Sequence, residues 1–409
     1  MGPWTETMRG ERTRTGAGTR TPKARAAGVG GASPRTTPRF LWRWFDAADR
    51  QTLLGALAAK AILLLFGLLA YSAIADRAVA GPRDALELWN RWDAPHYLSI
   101  AQNGYQAVGK DRFLIVFFPL YPLAIRLVSL FVANGILAAF IVSGVASLAV
   151  AFLLRRLALL DGTAAFADRA VWFLLIFPTS YFLHIGYTES LFIALILGAF
   201  LAARHERWAL VGCLGALACL TRVNGLLLLP AFAVEVALLY RVHRQFRREW
   251  LWIGLPVVGV LAYLLLNRVV YGDPLQFLQY QREHWYKSFD WPWNGIGGSV
   301  RSIGWRTPAD AQLVGGQETL FIALGFGGAI ATALLLRPSY AVWMFGNWLL
   351  FTSTAFVLSV PRYTLTLFPL YLLFARLAAG RIWFLILTVW SLLCMALFVT
   401  LFVQGRWAF

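Results

Sequence analysis

The sequence is short of charge. Charged residues make up 14% of its 409 positions, hydrophobic residues 59%, and mean hydropathy is +0.62. Soluble domains carry about a quarter charged residues, so a soluble globular enzyme is excluded. Disorder requires low hydrophobicity and is excluded for most of the chain. Cysteine is scarce as well. Cys213, Cys219 and Cys394 all lie in apolar stretches, without a Cys-x-x-Cys pair or a histidine cluster. That pattern fits small packing residues rather than a zinc site. Lysine is rarer than its partner: four lysines stand against 33 arginines. No cleavable signal peptide is expected, because the N-terminal segment has no apolar core.

What remains is a membrane protein with many spans. Its net charge of +17 could signal nucleic acid, but in a polytopic protein it more often marks cytoplasmic loops and contact with anionic lipid. Residues 1–38, rich in Arg, Thr, Gly and Pro, read as a disordered basic cytoplasmic tail. Arg39 to Phe45 mixes aromatic and basic residues, as a helix on the membrane surface does. The remainder, 39–409, reads as a single transmembrane domain.

Runs of about 20 apolar residues mark spans. They are expected near 53–75, 135–154, 170–184, 185–203, 208–221, 223–240, 250–271, 317–336, 338–359, 362–379 and 382–403, eleven in all. The stretch 113–131 is apolar enough to cross, but Pro119, Pro122 and Arg126 interrupt it. If it crosses, the basic loop from Arg155 to Arg169 falls outside. If it tucks in and returns, all the basic segments fall inside. A tucked or re-entrant helix is therefore expected, lining a protein cavity. Two long outer loops follow, at about 76–112 and 272–316. The fold class is thus an all-α polytopic integral membrane protein.

Six places could carry chemistry. The first outer loop contains Trp89-Asn-Arg-Trp-Asp-Ala-Pro-His-Tyr97. Asp93 and His96, three apart, share a helix face. A carboxylate beside Trp92 and Tyr97 suits a sugar: rings stack on its apolar face and the acid accepts a hydroxyl proton. An interfacial tryptophan belt with a solvated acid reads equally well. Phe117-Phe-Pro-Leu-Tyr-Pro122 begins the tucked segment. His184, Tyr187 and Glu189 lie at or near membrane depth, where ionisable residues are expensive and functional by default. Arg222, in Thr221-Arg-Val-Asn-Gly225 with Asn224 beside it, could hold a phosphate in its planar fork or snorkel to the interface. Arg362 falls outside by parity, against the positive-inside rule, which points to an anion partner. The second outer loop offers His284, Trp285 and further aromatics, either over an acceptor or at the interface.

In this order, Trp-Asp-x-x-His-Tyr, Phe-Phe-Pro-Leu-Tyr-Pro, Tyr-Thr-Glu-Ser-Leu-Phe and Arg-Val-Asn-Gly resemble the PIG-V mannosyltransferases. That family includes the enzyme adding the second mannose of GPI anchors, and bacterial relatives. The resemblance covers about residues 85–230 well. It implies the C-type glycosyltransferase fold, an inverting reaction, a polyprenyl-phosphate sugar donor and an essential acid in the first outer loop, the position of Asp93. Within that chemistry Arg222, His96, Arg362 and Asn224 are expected toward the donor and its phosphate. Trp92, Tyr97, His184, Tyr187, Glu189 and Trp285 would face sugar or acceptor. The acceptor would be a glycolipid or glycan, with membrane lipids as the other partners and no nucleic acid. No cofactor is required, and a lone divalent cation is compatible with the scattered carboxylates. The excess of arginine points to a GC-rich bacterium, its plasma membrane, and an extracytoplasmic site with the N-terminus in the cytoplasm. A GPI acceptor is not expected there. A transporter or lipid flippase, a non-catalytic membrane subunit, and the same fold with another lipid-linked sugar are the alternatives.

Overall fold

A computed structural model describes residues 46–75, 78–306 and 310–408. The expected basic tail and the surface helix at Arg39–Phe45 lie outside them. The described residues are helical throughout, apart from an isolated antiparallel bridge between Phe289 and Thr354.

In chain order the helices are α1 (Ala47–Ala75), α2 (Pro82–Glu87), α3 (Ala94–Asn103), α4 (Leu120–Ser129), α5 (Gly135–Leu159), α6 (Ala164–Leu175), α7 (Glu189–Arg204), α8 (Trp208–Cys219) and α9 (Leu228–His243). They continue with α10 (Leu255–Tyr271), α11 (Gln276–Trp285), α12 (Pro292–Ser302), α13 (Ala311–Leu335), α14 (Pro338–Thr352), α15 (Val360–Thr364), α16 (Pro369–Leu377) and α17 (Arg381–Val403). Proline occupies the first turn of α2, α3, α10, α12, α14, α15 and α16. There its missing N–H costs no helix bond and its fixed φ favours the turn.

Six of the described helices are long and apolar enough to cross a membrane: α1, α5, α9 and α10 with their leading 3-10 turns, α13 and α17. The other expected spans are shorter or broken. The one expected over 170–184 stops at Leu175, because Phe177 precedes Pro178 and is disfavoured in the helical region. The one expected over 362–379 divides into α15 and α16 at Pro369. The segment 113–131 forms a 3-10 turn, Arg112–Val116, and then α4. Ten helical residues reach about 15 Å, roughly half the hydrocarbon thickness, so α4 does not cross.

The outermost helices are α1 and α17, each with only 17% of its apolar window buried. Exposed leucines and isoleucines cover them, among them Ile62 and Ile382, as a lipid-facing surface requires. Inside, α8 and α10 lie in close contact. A Cβ on Gly212 would strike the Trp252 backbone, one on Gly215 would come within 2.7 Å of Pro256, and one on Gly259 would strike the Ala216 backbone. Small residues of this kind let two membrane helices pack backbone to backbone.

Hydrogen bonds gather the connecting segments at one end of the bundle. Tyr271 donates to the Gln106 and Arg112 carbonyls, Tyr181 to Ala408 O, Ala355 N to Ser288 O, and Leu120 N to Leu220 O. Asp93 lies at this end. At the opposite end, ion pairs join Asp49 to Arg155 and Arg156, Asp168 to Arg155, Asp161 to Arg204, and Glu235 to Arg337.

Candidate active site

The loop before α3 is pinned so that Asp93 is presented in a fixed place. The Arg91 guanidinium donates to Leu88 O and Val403 O, both at 2.9 Å. The Tyr187 hydroxyl donates to Arg91 O at 2.8 Å. Trp92 follows with φ 57°, a left-handed conformation uncommon for a bulky residue. Its ring lies edge-on to Trp407, 5.0 Å between centroids. Asp93 comes next, at the start of α3.

A second helix start, 269 residues further on, meets it. Arg362 Nη1 lies 2.8 Å from Asp93 Oδ2, and Arg362 Nε lies 3.0 Å from Glu189 Oε1. Glu189 opens α7 and is fully buried. The same Glu189 oxygen lies 2.5 Å from Arg222 Nη1, which also reaches Thr188 Oγ1 at 3.1 Å. Asp93, Arg362, Glu189 and Arg222 thus form one alternating chain of charge. Asp93 is its most exposed carboxylate, at 23%. Arg362 and Tyr363 lie outside the six span-length helices. Burial works to lower the Arg362 pKa, but Asp93 and Glu189 outweigh it and hold it well above the ordinary value.

Tyr363 gathers the cations. Its ring has Lys287 Nζ at 4.9 Å and the guanidinium carbons of Arg222 and Arg362 at 5.4 and 5.6 Å. Its hydroxyl accepts from Lys287 at 2.9 Å. Burial works to raise the Tyr363 pKa, yet Lys287, Arg362 and Arg222 draw it below the ordinary value.

Aromatic rings wall the other side of Asp93. Trp285 meets Phe117 edge-on at 5.7 Å, and Phe117 meets His96 at 5.3 Å and Tyr97 at 5.1 Å. Tyr97 also meets Tyr187, at 6.4 Å. Elsewhere on α3 a polar recess of about 450 Å³ opens, lined by Asn90, Ser99, Gln102, Asn103 and Asn134. Between α9, α13 and α14 runs an apolar groove of about 480 Å³, with Pro230, Ile330, Val342 and Phe345 on its walls. Among the described residues no three His, Cys, Asp or Glu side chains gather as a metal would need.

The sequence candidates are therefore distributed as follows. Asp93, Glu189, Arg222 and Arg362 converge, and His96, Tyr97, Tyr187 and Trp285 lie around them. Asn224 turns away: its amide donates to Asn347 Oδ1 at 2.9 Å and ties the 3-10 turn at 223–227 to α14. His184 is buried in the turn before α7, and neither ring nitrogen has a hydrogen-bond partner among the described residues. Trp92 packs on Trp407. Lys287, Tyr363 and Glu318 were not singled out from sequence. Lys287 had a signal in the rarity of lysine, and Glu318 in being an acid on an apolar helix.

The comparisons agree with this architecture. In fold the chain is similar to the crystal structure of ArnT from Cupriavidus metallidurans bound to undecaprenyl phosphate. The TM-score is 0.50 at 15% identity, over 88% of this chain and 77% of that one. A weaker similarity, TM-score 0.42 at 12% identity, links it to the Archaeoglobus fulgidus oligosaccharyltransferase tethered with an acceptor peptide, over 86% of this chain and 55% of that one. No curated protein sequence matches it. The fold is that of the C-type membrane glycosyltransferases. Residues 59–294, more than half of the chain, match the family described as Mannosyltransferase (PIG-V), and the chain belongs to that family.

Proposed function

We propose that this membrane glycosyltransferase moves mannose from a polyprenyl-phosphate donor to a hydroxyl of a glycolipid or glycan, on the extracytoplasmic face of a bacterial plasma membrane. The observation that carries the reading is the charge chain Asp93–Arg362–Glu189–Arg222, set at the loop end of the bundle with Lys287 beside it. It puts a partly exposed carboxylate and a group of cations within one site, as transfer from a phosphate requires.

In the reaction, the acceptor hydroxyl oxygen attacks the anomeric carbon while Asp93 takes its proton. The bond from that carbon to the phosphate oxygen breaks, and its electron pair leaves with polyprenyl phosphate. The transition state is oxocarbenium-like, as in glycoside chemistry generally. Charge grows on the leaving phosphate, and Arg222 with Lys287 stabilises it, Arg362 linking them to the base. Preorganised cations in a water-poor site act most strongly where charge develops. Attack opposite the leaving group inverts the centre, so a β-linked donor gives an α-mannoside. His96 and the Trp285–Phe117–Tyr97 wall flank the sugar. The lipid held by ArnT supports a lipid-phosphate donor of the same class.

The test is Asp93→Asn, assayed in membranes with labelled polyprenyl-phosphate mannose. Transfer should fall by about 10²–10⁴-fold, the usual worth of a general base. Retained transfer in a normally expressed variant would remove Asp93 from this role. Labelled donors carrying glucose or arabinose in the same assay identify the sugar.

A further inference from the structure

We infer that Glu318 is a positioning residue for the transfer: from the neighbouring helix α13 it sets the backbone of Ser359–Arg362 and so holds the Arg362 guanidinium against Asp93. The inference rests on the reading of Asp93 as the base.

Glu318 is 1% exposed on an apolar helix, where an acid is costly unless fully engaged. One carboxylate oxygen accepts from Ser359 N at 2.7 Å and the other from Val360 N at 2.8 Å. The carboxylate thus serves two successive backbone donors at the start of α15, and the next residue, Pro361, has none to offer. Ser359 is held at φ 73°, a left-handed conformation unfavourable for a residue other than glycine or asparagine, which persists only where its surroundings dictate it. From the other side, the Thr179 and Thr364 hydroxyls donate to Pro361 O at 2.9 and 2.7 Å. Lys287 Nζ donates to Leu358 O at 3.4 Å just upstream. The backbone before Arg362 is therefore gripped on both faces, and the Arg362 side chain leaves it toward Asp93 and Glu189. Two oxygens are essential to this device: a neutral amide offers one acceptor and presents a donor to the second N–H.

The experiment compares wild type, Glu318→Gln, Glu318→Asp, Arg362→Lys and the double variant Glu318→Gln/Arg362→Lys, as full-length protein in membranes of the source organism with labelled polyprenyl-phosphate mannose. Glu318→Gln should lower kcat at least tenfold while the donor KM stays within twofold and the melting temperature within a few degrees. Glu318→Asp, which keeps both oxygens, should recover part of the loss. In the Arg362→Lys background the Glu318→Gln change should cost less than twofold, because Glu318 acts through Arg362. Multiplicative losses, or a Gln variant as active as wild type, overturn the inference. A cryo-EM structure of Glu318→Gln reads the same point without turnover: the Arg362–Asp93 contact should open beyond the roughly 4 Å of an ion pair, and an unchanged contact overturns it. A wild type that transfers no mannose would instead refute the function on which the inference rests.

Discussion

The two ends of the helix bundle hold ion pairs of different kinds. At the end away from Asp93, four arginines and four carboxylates match: Arg155, Arg156, Arg204 and Arg337 against Asp49, Asp168, Asp161 and Glu235. They tie α1 to α5, α5 to α6, α7 to the turn after α5, and α9 to the start of α14. At the loop end, Arg362 bridges Asp93 and Glu189, Arg222 shares Glu189, Lys287 donates to the Tyr363 hydroxyl, and the third acid, Glu318, is taken by backbone N–H groups. In the first arrangement guanidinium groups meet carboxylates helix to helix. In the second, one guanidinium bridges two carboxylates, and the lysine beside it is held by a phenol hydroxyl rather than by an acid. The difference teaches that how buried charge is shared, more than its burial, sets the two ends apart.

The comparison can be broken by mutation at either end. The largest effect is expected from Arg362→Ala, which strips Asp93 and Glu189 of their shared cation. Transfer should fall at least a hundredfold by labelled-donor assay, comparable to loss of a single preorganised donor at a site of developing charge. Arg222→Ala should come next, with a loss of about 10- to 100-fold in kcat/KM for the donor and little change for the acceptor. Equal losses for both substrates would deny it the phosphate. At the other end, Asp49→Ala leaves Arg155 and Arg156 without their buried carboxylate. Stability should drop by about 3–5 kcal/mol, seen as a lower melting temperature in detergent, while kcat of the folded fraction stays within twofold. A selective loss of kcat there would erase the distinction between the ends. Gly259→Leu should separate α8 from α10 and destabilise without touching the charge chain, again with kcat preserved in the folded fraction. The smallest effect is expected from EDTA, which should leave the rate within twofold; a collapse restored by a divalent cation would add a metal to the site.

Much of this was legible in the chain because it was local. Composition declared the membrane, and Pro119 and Pro122 declared that the 113–131 segment is interrupted. Glu189 and Arg222 stood out as ionisable groups in apolar runs, Asp93 as an acid among aromatics in the first outer loop, and Arg362 as a cation on the side where the positive-inside rule does not want one. What stayed hidden was pairing. Nothing in the spacing of Arg362 says that it meets Asp93, or that Glu189 lies between two arginines. Glu318 was averaged into the hydropathy of a span, and Lys287 stood beside aromatics that drew more notice. Asn224 looked equivalent to Arg222 two residues away, yet a 3-10 turn points one to Asn347 and the other to Glu189. Helix length was over-read for the same reason. Apolar content continues through Pro178 and Pro369, but the helix does not.

The 269 residues between Asp93 and its guanidinium partner also set a clock. At about 5–20 residues per second, the ribosome reaches Arg362 roughly 13 to 54 s after Asp93 has been made. Throughout that interval Asp93 exists while its counter-ion has not yet been synthesised. The contact between them can close only after α15 has been made, so a chain arrested earlier would hold the first loop without the guanidinium that meets it in the finished fold.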